Sequence, residues 1–315
     1  MIGFDIGGTK CAVSVGEYVS GKFEIKAKKA IPTDLSISAY EMIDKLCDMA
    51  TELTDDYSNV GISCGGPLDS RRGIIMSPPN LKGWDNIEIT DYIKKRLKSK
   101  NVGLQNDANA CAVAEWKFGA GMGCRNMIFL TFGTGLGAGL ILDSKLYSGT
   151  NDMAGEVGHI RLSPFGPIGY GKSGSFEGFC SGGGIAQLGK AKATEALQCG
   201  KALSYCSSYD ELDTVTAKKI AEFANSGHDD AKEVYRICGT KLGEGLSILI
   251  DILNPEKIVI GSIFARAENL LAESMNEVLK RECLPASLGV CSVVPAKLGE
   301  SIGDYAALAV AAMNT

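Results

Sequence analysis

The chain has 315 residues, 45% of them hydrophobic and 22% charged, with a formal net charge of -5; these are the proportions of a soluble globular protein long enough for two domains. An acidic chain whose one strongly basic run reads as a solvated helix end argues against nucleic-acid binding. No apolar run reaches membrane-spanning length, and the opening MIGFDIGGTK has neither the basic nor the apolar region of a secretory signal. Eleven cysteines without a C-x-x-C point to free thiols in a reducing cytoplasm, with Cys11 and Cys111, among apolar neighbours, reading as core.

In chain order, the first predicted element is an apolar strand from Ile2, broken by Gly7-Gly8-Thr9 and followed by a second strand from Cys11 to Val15. The basic run Lys94 to Lys100 reads as a helix end, where cations suit the dipole. Val102 onward predicts a short strand, ending at Asn106-Asp107, and then an Ala-rich helix to Glu115. At such a helix start the commonest role of Asp107 is a cap. The functional alternative is a general base, kept ionised by the helix dipole and aimed into a cleft. Asn106 beside it offers both a donor and an acceptor to a hydroxyl-rich ligand. Met127 to Phe132 predicts another strand, Gly133-Thr134-Gly135 a second turn, and Gly137 to Leu142 a strand leaving it. Leu242, Leu246, Leu249, Ile250 and Leu253 have helical spacing, and an Ala-rich helix from Tyr305 to Met313 closes the chain.

The glycine segments decide the class. Gly133-x-Gly135-x-x-Ala138 matches a dinucleotide fingerprint in letters, but a strand follows it instead of a helix. Gly166 to Ser173 fits G-x-x-x-x-G-K-[ST] letter for letter, yet its upstream strand is short. Gly174, Gly178 and Gly182 to Gly184 rule out the long helix that should carry a phosphate. What remains is two strand–turn–strand units in corresponding places, a weak internal duplication. Each turn can present backbone N–H groups and a hydroxyl to phosphate. Two polar loops accompany them, Pro79-Asn80 to Trp84 and Ala154-Gly-Glu156-Val-Gly-His159. His159 stands out because the chain has only two histidines.

Taken together, Asp5-Ile-Gly-Gly-Thr-Lys10, Ser63-Cys-Gly-Gly-Pro67, Pro79-Asn80-Leu, Asn106-Asp107-Ala-Asn109-Ala, Thr131 to Gly139, Gly155-Glu-Val-Gly-His159 and Gly303-Asp-Tyr-Ala-Ala-Leu308 resemble, in order and over nearly the whole chain, the ROK family of the hexokinase, actin and heat-shock-70 superfamily. The resemblance implies a two-domain α/β actin-like ATPase (ribonuclease H-like) fold with an interdomain cleft. Residues 1–117 plus 301–315 would form the smaller domain and 118–300 the larger. It implies transfer of the γ-phosphoryl of Mg-ATP to the 6-hydroxyl of a hexose, most simply glucose, with Asp107 as the base. Asn80, Asn106, Glu156, His159 and Glu177 would bind the other hydroxyls. Asp5, Gly7, Gly8, Thr9 and Lys10 would face phosphate from one side, and Thr131, Gly133, Thr134 and Gly135 from the other. Magnesium would lie near Asp5, and Ser181 to Gly184, Gly183 included, together with Gly261 and Ser262, would border the adenosine. The family also implies a cytoplasmic homodimer. Its alternatives are a sugar-sensing transcriptional regulator without its DNA-binding module, or a kinase for N-acetylmannosamine, fructose or a glucoside.

The chain departs from the family in one loop. Where most members carry three zinc-binding cysteines, it has Ile168, Tyr170 and Ser175, so no structural zinc is expected. Phe165, Ile168, Tyr170 and Phe176 are expected to brace the loop as a small apolar cluster.

Overall fold

The computed structural model describes residues 1–19 and 22–313. The chain opens with β1 (Ile2–Ile6), β2 (Lys10–Val19) and β3 (Lys22–Pro32), then α1 (Ala39–Leu53), β4 (Asn59–Cys64) and a two-rung hairpin of β5 (Leu68–Asp69) and β6 (Ile74–Ile75). Next come α2 (Ile89–Leu97), β7 (Asn101–Asn106), α3 (Asp107–Phe118), β8 (Met127–Phe132), β9 (Leu136–Leu142) and β10 (Lys145–Tyr147). A second small hairpin, β11 (Ile168–Gly169) and β12 (Lys172–Ser173), precedes α4 (Phe176–Phe179), α5 (Gly182–Gln198), α6 (Ala217–Asn225) and α7 (Asp229–Leu253). The chain ends with β13 (Lys257–Ile260), α8 (Ile263–Glu282), α9 (Pro285–Leu288), β14 (Ser292–Pro295) and α10 (Ile302–Ala311).

Two five-stranded sheets have matching orders, β3-β2-β1-β4-β7 and β10-β9-β8-β13-β14. In the first, β1 pairs antiparallel with β2 and parallel with β4; in the second, β13 lies parallel to both β8 and β14. Both predicted strand–turn–strand units therefore exist, each between the first two strands of its sheet. The helix expected to end in the basic run is α2, which stops with Lys98 in the left-handed region.

The chain divides into two compact units: Met1–Arg125 with Gly139–Ala154 and Lys297–Thr315, and Asn126–Ala138 with Gly155–Ala296. Residues 314 and 315 of the expected first domain lie outside the described residues. In the first unit the apolar faces of β1, β4, α1 and α2 enclose a core containing Phe4, Met42, Ile62 and Trp84. The Ala-rich α10 lies against β1 and β4. Gly61 permits that contact, because a Cβ there would stand 2.2 Å from the Ala307 oxygen and from the Ala311 nitrogen.

In the second unit α7 and α8 pack together through backbone approach: a Cβ on Gly243 would lie 2.7 Å from the Met275 oxygen. Phe176 is fully buried against Gly245 of α7. The glycines at 182–184, read as opposing a helix, in fact begin the 17-residue α5. Ser181 caps this helix, and a Cβ on Gly184 would stand 2.0 Å from the Gly178 oxygen, so packing requires the residue that propensity disfavours. Among the described residues no helix is long and apolar enough to cross a membrane. Cys11 is buried as expected, whereas Cys111 is half-buried.

Candidate active site

The first unit gathers Asp5, the Gly7–Lys10 turn, Asn80, Asn106 and Asp107. Asp5 ends β1, and the chain turns at once, the Gly7 N–H donating to the Lys10 carbonyl at 3.1 Å. Gly8 has no side chain for a steric reason: a Cβ would sit 2.6 Å from the Asn80 carbonyl oxygen, so the turn lies directly against the Asn80 backbone. Thr9, Lys10 and Asn80 are exposed.

Asp107 is the first residue of α3, and the cap is its neighbour: Asn106 Oδ1 accepts the Ala108 N–H at 3.0 Å. The capping role open to Asp107 in the sequence is thus taken by Asn106. That engages the Asn106 acceptor and leaves its amide nitrogen, which lies 3.2 Å from where a Gly66 Cβ would be. Asp107 Oδ1 also accepts the Ala108 N–H, at 2.8 Å. The helix end was expected to keep this carboxyl ionised. Loss of hydration instead raises its pKa, with the backbone N–H of Ala108 acting the other way. The residue keeps an exposed flank.

Asp5 titrates at about 6, raised first by burial, then by the negative charge of Asp304, with a smaller contribution from Asp107; Lys10 and Lys28 act oppositely. Asp304 was not given a role from the sequence. It is buried at the start of α10, where Ser14 Oγ donates to it at 3.1 Å and Lys28 Nζ at 2.6 Å. Gly303 lies beside Asp5, since a Cβ there would be 2.9 Å from Asp5 Oδ2. Surplus negative charge on oxygen ligands is the environment a hard divalent cation favours. Among the described residues no three acidic, His or Cys groups are arranged to hold a metal. An ion at Asp5 would therefore draw most ligands from phosphate and water, as Mg²⁺ commonly does.

The second unit gathers the Gly133–Gly135 turn, the Glu156–His159 segment, Glu177 and the start of α5. The Gly133 carbonyl accepts the Gly182 N–H at 2.8 Å, which joins the turn to the N-terminus of α5. Gly183 is exposed, with only Ser181 Oγ, at 4.0 Å, near where a Cβ would be, and it leaves room for a ligand at this helix end. Gly184 offers less, because its N–H is occupied by Ser181 Oγ at 3.0 Å. Thr131 is also engaged, its hydroxyl bonded to Gly137 N at 2.9 Å, whereas Thr134 is exposed at the tip. Gly261 is buried against the Phe129 ring; Ser262 is exposed at φ 53° with its hydroxyl accepting from Arg266.

Glycines also position the Glu156–His159 segment. Gly155 adopts φ 92°, and a Cβ there would lie 2.0 Å from the Ala138 oxygen; at Gly158 the Leu136 oxygen would be 2.1 Å away. The segment therefore packs backbone to backbone on the start of β9, and Glu156 and His159 are left exposed. Glu177 Oε2 accepts the Leu136 N–H at 3.0 Å and so ties α4 to the exit of the turn.

The loop of the missing cysteines overturns one expectation. Phe165, Ile168 and Tyr170 are 84%, 55% and 85% exposed, and of the expected apolar cluster only Phe176 is buried. Hydrogen bonds hold the loop instead. Ser175 Oγ accepts the Gly178 N–H and faces the Gly169 carbonyl, Ser173 Oγ donates to the Gly166 carbonyl, and Lys172 Nζ donates to the His159 carbonyl at 2.6 Å. The Gly-Lys-Ser motif thus closes a hairpin and cradles no phosphate. Zinc does not fit here: Ile168 has no donor atom, the Tyr170 phenol is not a thiolate or imidazole, and the Ser175 hydroxyl is already bonded.

A family model described as the ROK family matches residues 1–313. A glucokinase of Halalkalibacterium halodurans is 30% identical over 311 residues, which cover 96% of this chain and 92% of the relative. A xylose repressor of Caldicellulosiruptor bescii is 27% identical over 303 residues, 95% of this chain and 74% of that protein. Among solved structures, a ROK family glucokinase from Streptomyces griseus in complex with glucose and AMPPNP superimposes with a TM-score of 0.73 at 29% identity, covering 98% and 97% of the two chains.

Proposed function

We propose, from the premise that this chain belongs to the ROK family, that it is an ATP-dependent sugar kinase acting on the 6-hydroxyl of a hexose, with glucose as the first acceptor to test. The observation that carries the reading is Asp107. It opens α3 while Asn106 does the capping, and burial raises the pKa of its carboxyl above the ordinary carboxylate value, the direction that makes a carboxylate a stronger base. Whole-length similarity to glucokinases supports the same reading.

Asp107 accepts the proton of the acceptor hydroxyl as that oxygen bonds to the γ-phosphorus. The bond from the γ-phosphorus to the bridging oxygen breaks, and ADP leaves with the electron pair. Positioning and charge neutralisation carry most of such a transfer. Backbone N–H groups of Gly8 and Thr9 and of Thr134 and Gly135, the Lys10 ammonium and the N-terminus of α5 meet the phosphates, while the Gly7 and Gly133 N–H groups close the two turns. Magnesium, held through Asp5, supplies further neutralisation when bound. Asn80, the Asn106 amide, Glu156, His159 and Glu177 orient the acceptor.

The test is a coupled ATP assay over glucose, mannose, fructose, N-acetylmannosamine and a glucoside, with wild type and Asp107→Ala. The variant is expected to lose roughly 10²–10⁴ in kcat, the usual contribution of a positioned base, with acceptor binding nearly intact. Near-normal turnover by the variant would sink this mechanism.

A further inference from the structure

Gln187, on the outer edge of the second turn of α5, makes two hydrogen bonds to one backbone residue. Its Oε1 accepts the Ile168 N–H at 2.9 Å, and its Nε2 donates to the Ile168 carbonyl at 2.9 Å. A side-chain amide used this way stands in for a neighbouring strand. Ile168 pairs with Ser173 across the β11–β12 hairpin, so Gln187 occupies the edge of β11 that no strand covers. The same hairpin carries two groups that touch His159. Lys172 Nζ donates to the His159 carbonyl at 2.6 Å, and the Tyr170 ring stands edge-on to the imidazole at 6.5 Å between centroids. Tyr170 holds that place at φ 44°, next to Gly171 at φ 74°, in a two-residue turn that favours Asn or Gly. A bulky residue kept in that conformation needs its surroundings to fix it. Arg161 reinforces the far strand by donating to the Ser173 carbonyl at 2.7 Å.

We propose that Gln187 is a positioning residue for acceptor recognition: by clamping Ile168 it fixes the β11–β12 hairpin, and the hairpin, through Tyr170 and Lys172, fixes His159. The role rests on the reading that His159 and Glu177 hold the acceptor. Its structural basis is separate, because the clamp consists of hydrogen bonds within the chain. The helix that bears Gln187 also bonds through Gly182 to the Gly133 turn, so the clamp ties the acceptor segment to the element that frames the phosphates.

The experiment compares wild type with Gln187→Ala and Gln187→Glu, the latter keeping the acceptor of the Ile168 N–H but setting a carboxylate against the Ile168 carbonyl. Amide hydrogen exchange of the free proteins is read over residues 157–175, and glucose and ATP kinetics are measured in parallel. Both variants are expected to exchange faster in this segment and to raise the glucose KM, Gln187→Ala roughly tenfold through the loss of two ordinary hydrogen bonds and Gln187→Glu by a similar factor through the loss of one and the repulsion between its carboxylate and the Ile168 carbonyl. The kcat, the ATP KM and the melting temperature should stay nearly unchanged, since Gln187 is exposed. Unchanged exchange in both variants overturns the clamp. Faster exchange with an unchanged glucose KM overturns its role in recognition. A wild-type chain inactive on every sugar of the panel overturns the kinase reading, and with it the role in recognition, while the exchange result still decides the clamp.

Discussion

Replacing Gly158 with Ala tests how the Glu156–His159 segment is held against β9. The new methyl carbon would lie 2.1 Å from the Leu136 carbonyl oxygen and 3.2 Å from Glu177 Cβ. A carbon–oxygen contact needs about 3.3 Å, so the segment must retreat by roughly 1 Å. The oxygen cannot swing aside, because it belongs to the first residue of a strand. Two bonds are strained by the retreat: Ala138 N–H to the Gly155 carbonyl at 2.8 Å and Leu136 N–H to Glu177 at 3.0 Å. Overpacking costs about 1–3 kcal/mol and one lost hydrogen bond about 1 kcal/mol, so about 2–4 kcal/mol in all. For a unit of this size that lowers Tm by about 5–12 °C. Gly171→Ala is the control: it has φ 74° but nothing within 4 Å of the added carbon, and should cost about 1 kcal/mol from backbone strain alone. Thermal and urea unfolding followed by circular dichroism give both numbers. A Gly158→Ala protein melting within about 2 °C of wild type would refute the close packing and the reasoning built on it.

Glu156→Gln is expected to raise the acceptor KM roughly 10- to 100-fold, the range for a bond to a charged group, and to leave the ATP KM nearly alone; the reverse pattern in steady-state kinetics would move Glu156 to the nucleotide. Asp5→Asn concerns pH. The folded carboxyl titrates at about 6 against an ordinary 3.8, so between these values the folded state keeps a proton the unfolded state has lost. Its stabilising contribution is present below that window and is lost as pH rises through it, by up to about 3 kcal/mol. Urea titrations without Mg²⁺ should therefore show Asp5→Asn gaining on wild type from about pH 4 to 6 while losing kinase activity; a constant gap between the two proteins contradicts the perturbed carboxyl. Protein purified without chelator is expected to contain no stoichiometric zinc and to keep its activity in EDTA once excess Mg²⁺ is restored. One zinc per chain by elemental analysis would overturn that expectation.

Local chemistry made much of this molecule legible. Apolar runs broken by Gly7-Gly8-Thr9 and Gly133-Thr134-Gly135 specify strand–turn–strand wherever they occur, because period and turn residues act over a few positions. The change from strand to Ala-rich helix at Asn106-Asp107 likewise placed the carboxylate at a helix start, although not which of the two residues caps it. The loop at 165–176 shows the limit. Its hydrophobicity suggested an apolar cluster, but hydrophobicity does not say which neighbours are within reach, and Phe165, Ile168 and Tyr170 face solvent. Their loop is held by Gln187, a polar residue on a helix whose glycine-rich start argued against a helix at all. Asp304 reaches Ser14 and Lys28 across most of the chain length; only the packing of α10 on its sheet puts a second carboxylate behind Asp5, where its charge adds to burial in raising the Asp5 pKa. Turns, caps and amphipathic faces follow from residues a few positions apart. Which side chain meets which backbone group, and which charges share one buried space, is decided by close packing between elements, where the free energy depends on distances that no linear spacing encodes.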